Sequence, residues 1–164
     1  MKIALAQIEC TPGEVEINYK QHLFWIEEAA KQSVDLICFP ELSLTGYAPS
    51  LCGNLQMDGT EEYWIRLQEL ADLNRCIICV GYSAKGNHMP QIALRIISPE
   101  KEPRVYAKHL LHSDEKSYFE EGNSIADIHL DGKRIALAIC YEAMQESHLK
   151  HFPARCERLS RFCC

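Results

Sequence analysis

Three side chains far apart in this sequence carry complementary chemistry: Glu41 in CFPEL, Lys108 in VYAKHL and Cys140 in LAICYE. A thiol is a weak nucleophile at its free pKa, and a neighbouring base converts it to the thiolate. Glu41 is a candidate for that base, able to take the proton and later return it to a leaving amine. Lys108, a compact cation, suits negative charge growing on a carbonyl oxygen. Taken singly, each has a plainer explanation. A lone cysteine is most often a buried hydrophobe, a lone glutamate a cap or solvent charge, and a lone lysine a solvated cation. The set gains meaning only if the fold brings the three together.

The elements around them make convergence reasonable. Residues 2–10 (Ile3, Leu5, Ile8) read as a buried strand, broken by Pro12-Gly13. Asn18 is a candidate N-cap for a helix to about residue 32, with Leu23, Ile26 and Ala30 on its buried face. VDLICFPE, 34–41, is a second hydrophobic strand. A helix between two continuous apolar strands predicts an α/β layered fold. After a loop over 42–59, Thr60 is placed to cap a helix whose inner face carries Trp64, Leu67 and Ala71. CIICVGYS, 76–83, and QIALRIIS, 91–98, have no helix between them and predict a hairpin. Strands follow at 103–107, 125–130 and 133–140, the last two joined by Asp131-Gly132, a two-residue turn signal. Glu41, Lys108 and Cys140 then sit at three strand ends, where ligand sites of open α/β sheets gather. Pro40 sets a fixed φ just before Glu41, which suits a strand end that aims a side chain.

Other clusters are weaker. Cys76 and Cys79 lie three apart in a strand-like run, so their sulfurs point to opposite faces and read as core rather than as metal ligands. His109 and His112 belong to the loop after Lys108, and His148 and His151 to a solvated helix; neither pair has acidic or thiol partners at a diagnostic spacing. A Cys140–His148 dyad is a rival catalytic pair, since histidine is the usual base for a thiol. Tyr47 and the aromatic pair Tyr118-Phe119 are candidates for a pocket lining, against the commoner role of aromatics as core. No pattern calls for a metal or a cofactor.

Composition narrows the classes. The 164 residues are 47% hydrophobic and 24% charged, the profile of one globular domain. A net charge of −6 with no basic stripe argues against nucleic acid. No apolar run reaches membrane-spanning length, and MKIALAQIEC is too short and too soon interrupted for a signal peptide, so the expected location is cytoplasmic. Nine cysteines, an odd number, then read as reduced thiols.

At the three chemical residues the chain resembles the nitrilase, or carbon–nitrogen hydrolase, superfamily. The matching stretches are FPELSLTGY (39–47), YAKHLLHSDEKSYFEEG (106–122) and ICYEAMQ (139–145), in order, with the opening KIALAQI and the helix before VDLICFPE also fitting. The resemblance implies an α/β, nitrilase-like αββα sandwich, represented here by its N-terminal part only. It implies a Glu–Lys–Cys hydrolase of small amides working through a thioester, with Glu41 as base, Lys108 as oxyanion helper and Cys140 as nucleophile. A second glutamate supporting the lysine matches Glu115, with Glu120 as runner-up. The backbone N–H of Tyr141 is a candidate oxyanion donor, and Glu142 stands where many relatives have aspartate. Residues 1–150 are expected to form the hydrolase domain, incomplete beside its relatives. Residues 151–164, HFPARCERLSRFCC, form an atypical Arg- and Cys-rich tail that does not look like part of a sheet. Relatives commonly dimerise, so a homo-oligomer is a candidate state. The alternative expectation is a catalytically inactive chain that acts only through a partner.

Overall fold

The computed structural model describes residues 1–152 and 157–158. Its first half is built from parallel strands with helical crossovers. Strand β1 (Ile3–Leu5) pairs in parallel with β2 (Leu36–Cys38), and β2 with β3 (Ile77–Ala84). Helix α1 (Val15–Lys31) makes the first crossover and α3 (Glu62–Asn74) the second, after a one-turn α2 (Pro49–Cys52). Strand β4 (Gln91–Ile97) returns antiparallel to β3 over seven residue pairs, the predicted hairpin, and β5 (Arg104–Ala107) pairs antiparallel with β4. The five strands lie in the order β1-β2-β3-β4-β5, so β5 runs in the same sense as β1 to β3.

A second sheet holds β6 (Asp127–Leu130), β7 (Lys133–Ala136) and the two-residue β8 (Glu157–Arg158). Asp131 and Gly132, at φ of 50° and 71°, make the turn between β6 and β7. Both central positions of that turn need positive φ, which Asp tolerates and Gly adopts freely. β8 pairs in parallel with β7, so residues 157–158 do join a sheet, contrary to the expectation for the tail; residues 153–156 and 159–164 lie outside the described residues.

Alternation along the strands separates two cores. Ile37, Phe39, Ile78, Val80 and Tyr82 face α1 and α3, meeting Ile26, Ala29, Trp64 and Leu67. Leu36, Cys38, Ile77, Cys79 and Ile96 face the second sheet, meeting Ile128, Ile135, Leu137 and Ile139. Cys76 and Cys79 therefore fall in different cores, as strand geometry requires, and burial pushes the Cys76 thiol up to about 11. These are successive helix, sheet and sheet layers of a nitrilase-like sandwich. Among the described residues, no helix is long and apolar enough to cross a membrane.

Several local expectations change. Asn18 is not the N-cap of α1 but lies inside it, fully buried. Its side chain accepts the Thr11 N–H at 2.7 Å and donates to the Thr11 and Leu44 carbonyls at 2.8 and 3.1 Å. The buried face of α1 is Asn18, His22, Ile26 and Ala29, so only Ile26 of the three predicted positions is fully inside. Thr60 does not cap α3 either. Its N–H and hydroxyl both go to Asp58, and Glu61 precedes the helix, accepting from the Asp58 and Gly59 N–H groups and from the Trp64 indole. The strand predicted over 2–10 keeps ladder pairing only at Ile3–Leu5, because its partner β2 is itself three residues long. The strand predicted over 133–140 ends at Ala136, and the chain turns into a short 3₁₀ helix, Cys140–Met144.

Candidate active site

Glu41 follows β2 in a tight turn. The Ser43 N–H bonds to the Pro40 carbonyl at 3.1 Å, and Leu42 takes a φ of 52°, a left-handed conformation for a buried branched residue. Such a residue costs about 1–3 kcal/mol and persists only where its surroundings over-determine it. Here the surroundings are Gly81 and Ser43. A Cβ on Gly81 would stand 2.1 Å from the Pro40 oxygen and 2.7 Å from the Leu42 nitrogen, so only glycine lets this turn lie on β3. The Leu44 N–H bonds to the Gly81 carbonyl at 2.9 Å. Ser43 is tied to α1 through His22, whose Nε2 lies 2.9 Å from the Ser43 hydroxyl and whose Nδ1 lies 2.7 Å from the Asn18 carbonyl. Burial pushes the His22 pKa down to about 4, so the ring is neutral in this chain of polar contacts.

Lys108 follows β5 directly. Its N–H bonds to the Ile92 carbonyl at 2.8 Å, and its carbonyl accepts the Gly122 N–H at 2.8 Å. The whole residue is buried, with 0% exposure. Its Nζ donates to Glu41 Oε1 at 2.7 Å and to Glu115 at 2.7 and 2.9 Å. Burial works against the ammonium, but the Glu41 charge and the hydrogen bonds to Glu115 and Glu41 outweigh it, and the Lys108 pKa rises. Glu115 is almost fully buried and also accepts the His112 N–H at 2.7 Å. Glu120, by contrast, closes the β3–β4 turn by accepting the N–H groups of Asn87, His88 and Met89. Glu115 is thus the glutamate at the lysine.

Cys140 opens the 3₁₀ helix with a φ of 46° and is half-buried. Its thiol lies close enough to Glu41 to lower the pKa of that carboxyl. Burial raises the Glu41 pKa from its ordinary value, outweighing the lowering by Lys108 and by the Cys140 thiol. A carboxyl with a raised pKa beside a thiol is a suitable partner for proton exchange with it. Behind the thiol, the carboxylate of buried Glu142 accepts the Ile139 N–H and the Tyr106 hydroxyl, at 2.8 and 2.6 Å. It also accepts the N–H groups of His109 and Leu110, at 2.8 and 3.2 Å. That carboxylate pins the Cys140 turn to the end of β5. No periodicity marks it, since Tyr106, His109 and Leu110 lie far from it in the chain.

The remaining predicted residues fall as follows. Tyr47 is 44% exposed, and burial of its hydroxyl, then the charges of Glu115, Glu41 and Asp114, push its pKa up to about 12. It therefore lies within the field of the acidic groups. Tyr141 is the second residue of the 3₁₀ helix, where N–H groups lack an intrahelical partner, and its ring meets His112 edge-on at 5.2 Å. Tyr118 is exposed, while Phe119 is core. His148 is not on a solvated helix: it is fully buried, with Nε2 2.8 Å from the Leu137 carbonyl. Its Nδ1 has no hydrogen-bond partner, so no Cys140–His148 dyad forms.

The carbon–nitrogen hydrolase family profile matches residues 2–149. Curated relatives include a glutamine-dependent NAD(+) synthetase from Acinetobacter baylyi, 30% identical over 150 residues, 85% of this chain and 26% of that protein. A protein N-terminal amidase from Schizosaccharomyces pombe is 30% identical over 139 residues, 77% of this chain and 49% of that protein. The chain thus spans between a quarter and a half of these relatives. Among solved structures, an amidase from Nesterenkonia sp. superposes with a TM-score of 0.80 at 22% identity, covering 92% of this chain and 59% of that one. A variant of that amidase has been solved in complex with butyramide. With the fold, the ordered motifs and a profile match over nearly its whole length, this chain belongs to the carbon–nitrogen hydrolase family.

Proposed function

We propose that this chain hydrolyses the C–N bond of a small amide, with Cys140 as nucleophile, Glu41 as general acid–base and Lys108 as electrostatic stabiliser. The observation that carries this is one buried ammonium held between two carboxylates, one of which, Glu41, also interacts with the half-buried Cys140 thiol. In this reading Glu41 takes the Cys140 proton as the sulfur attacks the amide carbon. The oxyanion forms against the Lys108 ammonium and the Tyr141 N–H. Protonated Glu41 then gives its proton to the leaving nitrogen, the C–N bond breaks, and an acyl-thioester remains on Cys140. Glu41, again a carboxylate, deprotonates a water that attacks the thioester, and its proton returns to the departing sulfur. Glu115 contacts Lys108 rather than the reacting atoms and acts as a positioning residue. Tyr47, Tyr118 and Tyr141 are the proposed lining of the substrate mouth, with residues 1–150 as the hydrolase unit.

The alternative, a non-catalytic chain working through a partner, has less support. An ammonium and two carboxylates buried together are costly to keep unless their arrangement is used. The test is to incubate the folded chain with butyramide and other simple amides. Mass spectrometry is expected to find an acyl adduct on Cys140 and free acid in solution. The absence of both from a folded sample, with Cys140→Ala behaving identically, would overturn the proposal.

A further inference from the structure

Behind the thiol, on the far side of the Cys140 turn, two imidazoles and a carboxylate cluster in a way the hydrolytic reading does not use. His109, Glu142 and His148 each offer one donor atom, and these atoms lie within 4.8 Å of one another. Glu142 and His148 are fully buried, and the His109 side chain is 16% exposed. His109 Nδ1 lies 2.9 Å from Glu142 Oε1. The rings of His109 and His148 are stacked at 4.9 Å, and the ring of exposed His151 meets His109 edge-on at 5.8 Å.

Two features separate this cluster from an ordinary polar core. The first is His148. Its Nε2 faces a carbonyl, which can only accept, so Nε2 carries the proton and Nδ1 carries a bare lone pair. That lone pair is buried and has no hydrogen-bond partner. A ring N–H donated to a backbone carbonyl, leaving the other nitrogen free, is how metal-bound histidines are oriented. The second is Glu142. Among the described residues its ion-pairing partner is the His109 ring alone, with no lysine or arginine beside it. The carboxylate is held by neutral donors, Tyr106 and three backbone N–H groups, and a buried anion without a permanent cation is costly.

We propose that His109, Glu142 and His148 form a binding site for a divalent transition metal, zinc foremost. Two imidazoles with one carboxylate suit zinc and its neighbours, and disfavour calcium and magnesium, which prefer oxygen ligands. The 2.9 Å between His109 Nδ1 and Glu142 Oε1 lets both atoms lie at about 2.0–2.2 Å from one ion. For ligation the neutral His109 ring takes the tautomer with its single proton on Nε2, which leaves the Nδ1 lone pair for the ion. His148 Nδ1 closes on the ion by side-chain rotation, and water or His151 completes a four-coordinate shell. The ion would fasten the 3₁₀ turn carrying Cys140 to the segment after Lys108. Metal binding here stands whether or not the chain turns over amides.

The test uses the full chain, stripped with chelator and titrated with Zn²⁺ and, separately, with Co²⁺. One equivalent of zinc is expected to survive desalting and raise the melting temperature. The cobalt form is expected to show d–d bands of a nitrogen- and oxygen-ligated ion, without a thiolate charge-transfer band. His148→Ala should weaken zinc by at least roughly the 10–100-fold that even outer partners of metal ligands command, while Cys140→Ser retains it. No stoichiometric zinc, unchanged affinity in His148→Ala, loss in Cys140→Ser, or a thiolate band would each overturn the site. Should His148→Ala not fold, the cobalt spectrum of the unaltered chain decides between the same two answers.

Discussion

Replacing Lys108 by methionine keeps the volume of the side chain and removes its charge. In the native chain the ammonium contacts Glu41 and Glu115, each at 2.7 Å, and is itself inaccessible to solvent. In Lys108→Met the two carboxylates face each other across the vacated space. At about 5 Å and an effective dielectric of about 20, two like charges repel by about 3 kcal/mol. Breaking a buried pair by removing one partner generally costs about 3–5 kcal/mol, so the two routes agree. The loss has a pH signature. With the cation gone, one carboxyl of the pair is pushed further up, above its unfolded value. A raised folded-state pKa gives stability that is fully present below the unfolded carboxylate pKa and lost as pH rises through the folded one. The variant should therefore lie close to the native chain at about pH 4, near the unfolded carboxylate pKa, and lose about 3–5 kcal/mol by pH 8. Urea denaturation of both proteins across that range measures it. A variant within about 1 kcal/mol of native at pH 8, or an equal loss at both ends, would refute the picture of a charge-compensated buried triad.

Three further outcomes follow from the same geometry. Gly81→Ala should push the Glu41 turn off β3 by about 1 Å and cut amide turnover about 100-fold, with thiol alkylation rates reporting the displaced base even if turnover is unmeasurable. Cys140→Gly should be about 1 kcal/mol more stable than Cys140→Ala, because glycine relieves the positive φ at that position; equal stabilities in thermal melts would argue against the strained turn. His22, buried neutral with a pKa near 4, binds no proton in the fold at pH values where the unfolded chain does. Stability should fall as pH drops from about 6.5 towards 4, by about 1.4 kcal/mol per unit, and a His22→Asn variant that keeps the same slope in urea titrations would refute it.

The apolar skeleton was readable because strands buried on both faces are continuous apolar runs, and β2, β3 and β4 lie within their predicted stretches to a residue or two. Lys108 was readable as a strand end and Glu41 as lying just past one, whereas Cys140 sits four residues beyond its strand, at the start of a 3₁₀ helix. What hydrophobic pattern could not reveal is the polar interior. Asn18 and His22 occupy core positions of α1 because their partners are Thr11, Ser43 and Leu44, contacts that no local spacing encodes. His148 read as solvated for the same reason: its burial depends on the Leu137 carbonyl and the His109 ring. Thr60 looked like a cap by residue type, but Asp58 captured both its hydrogen-bonding groups, and Glu61 took the loop's N–H groups. The positive φ values at Leu42 and Cys140 have no residue-type signal, since leucine and cysteine ordinarily avoid that region.

Glu41 and Lys108 hang from the five-stranded sheet, whereas Cys140 hangs from the other one. The gap between sulfur and carboxylate is consequently a property of the greasy seam where Leu36, Ile96, Ile135 and Ile139 interlock. A methyl group added or deleted in that seam slides one platform over the other and alters the reach between proton donor and acceptor. On the proposed reaction, turnover is then expected to respond to residues that never touch a substrate, and damage to the seam to register as a chemical defect before unfolding.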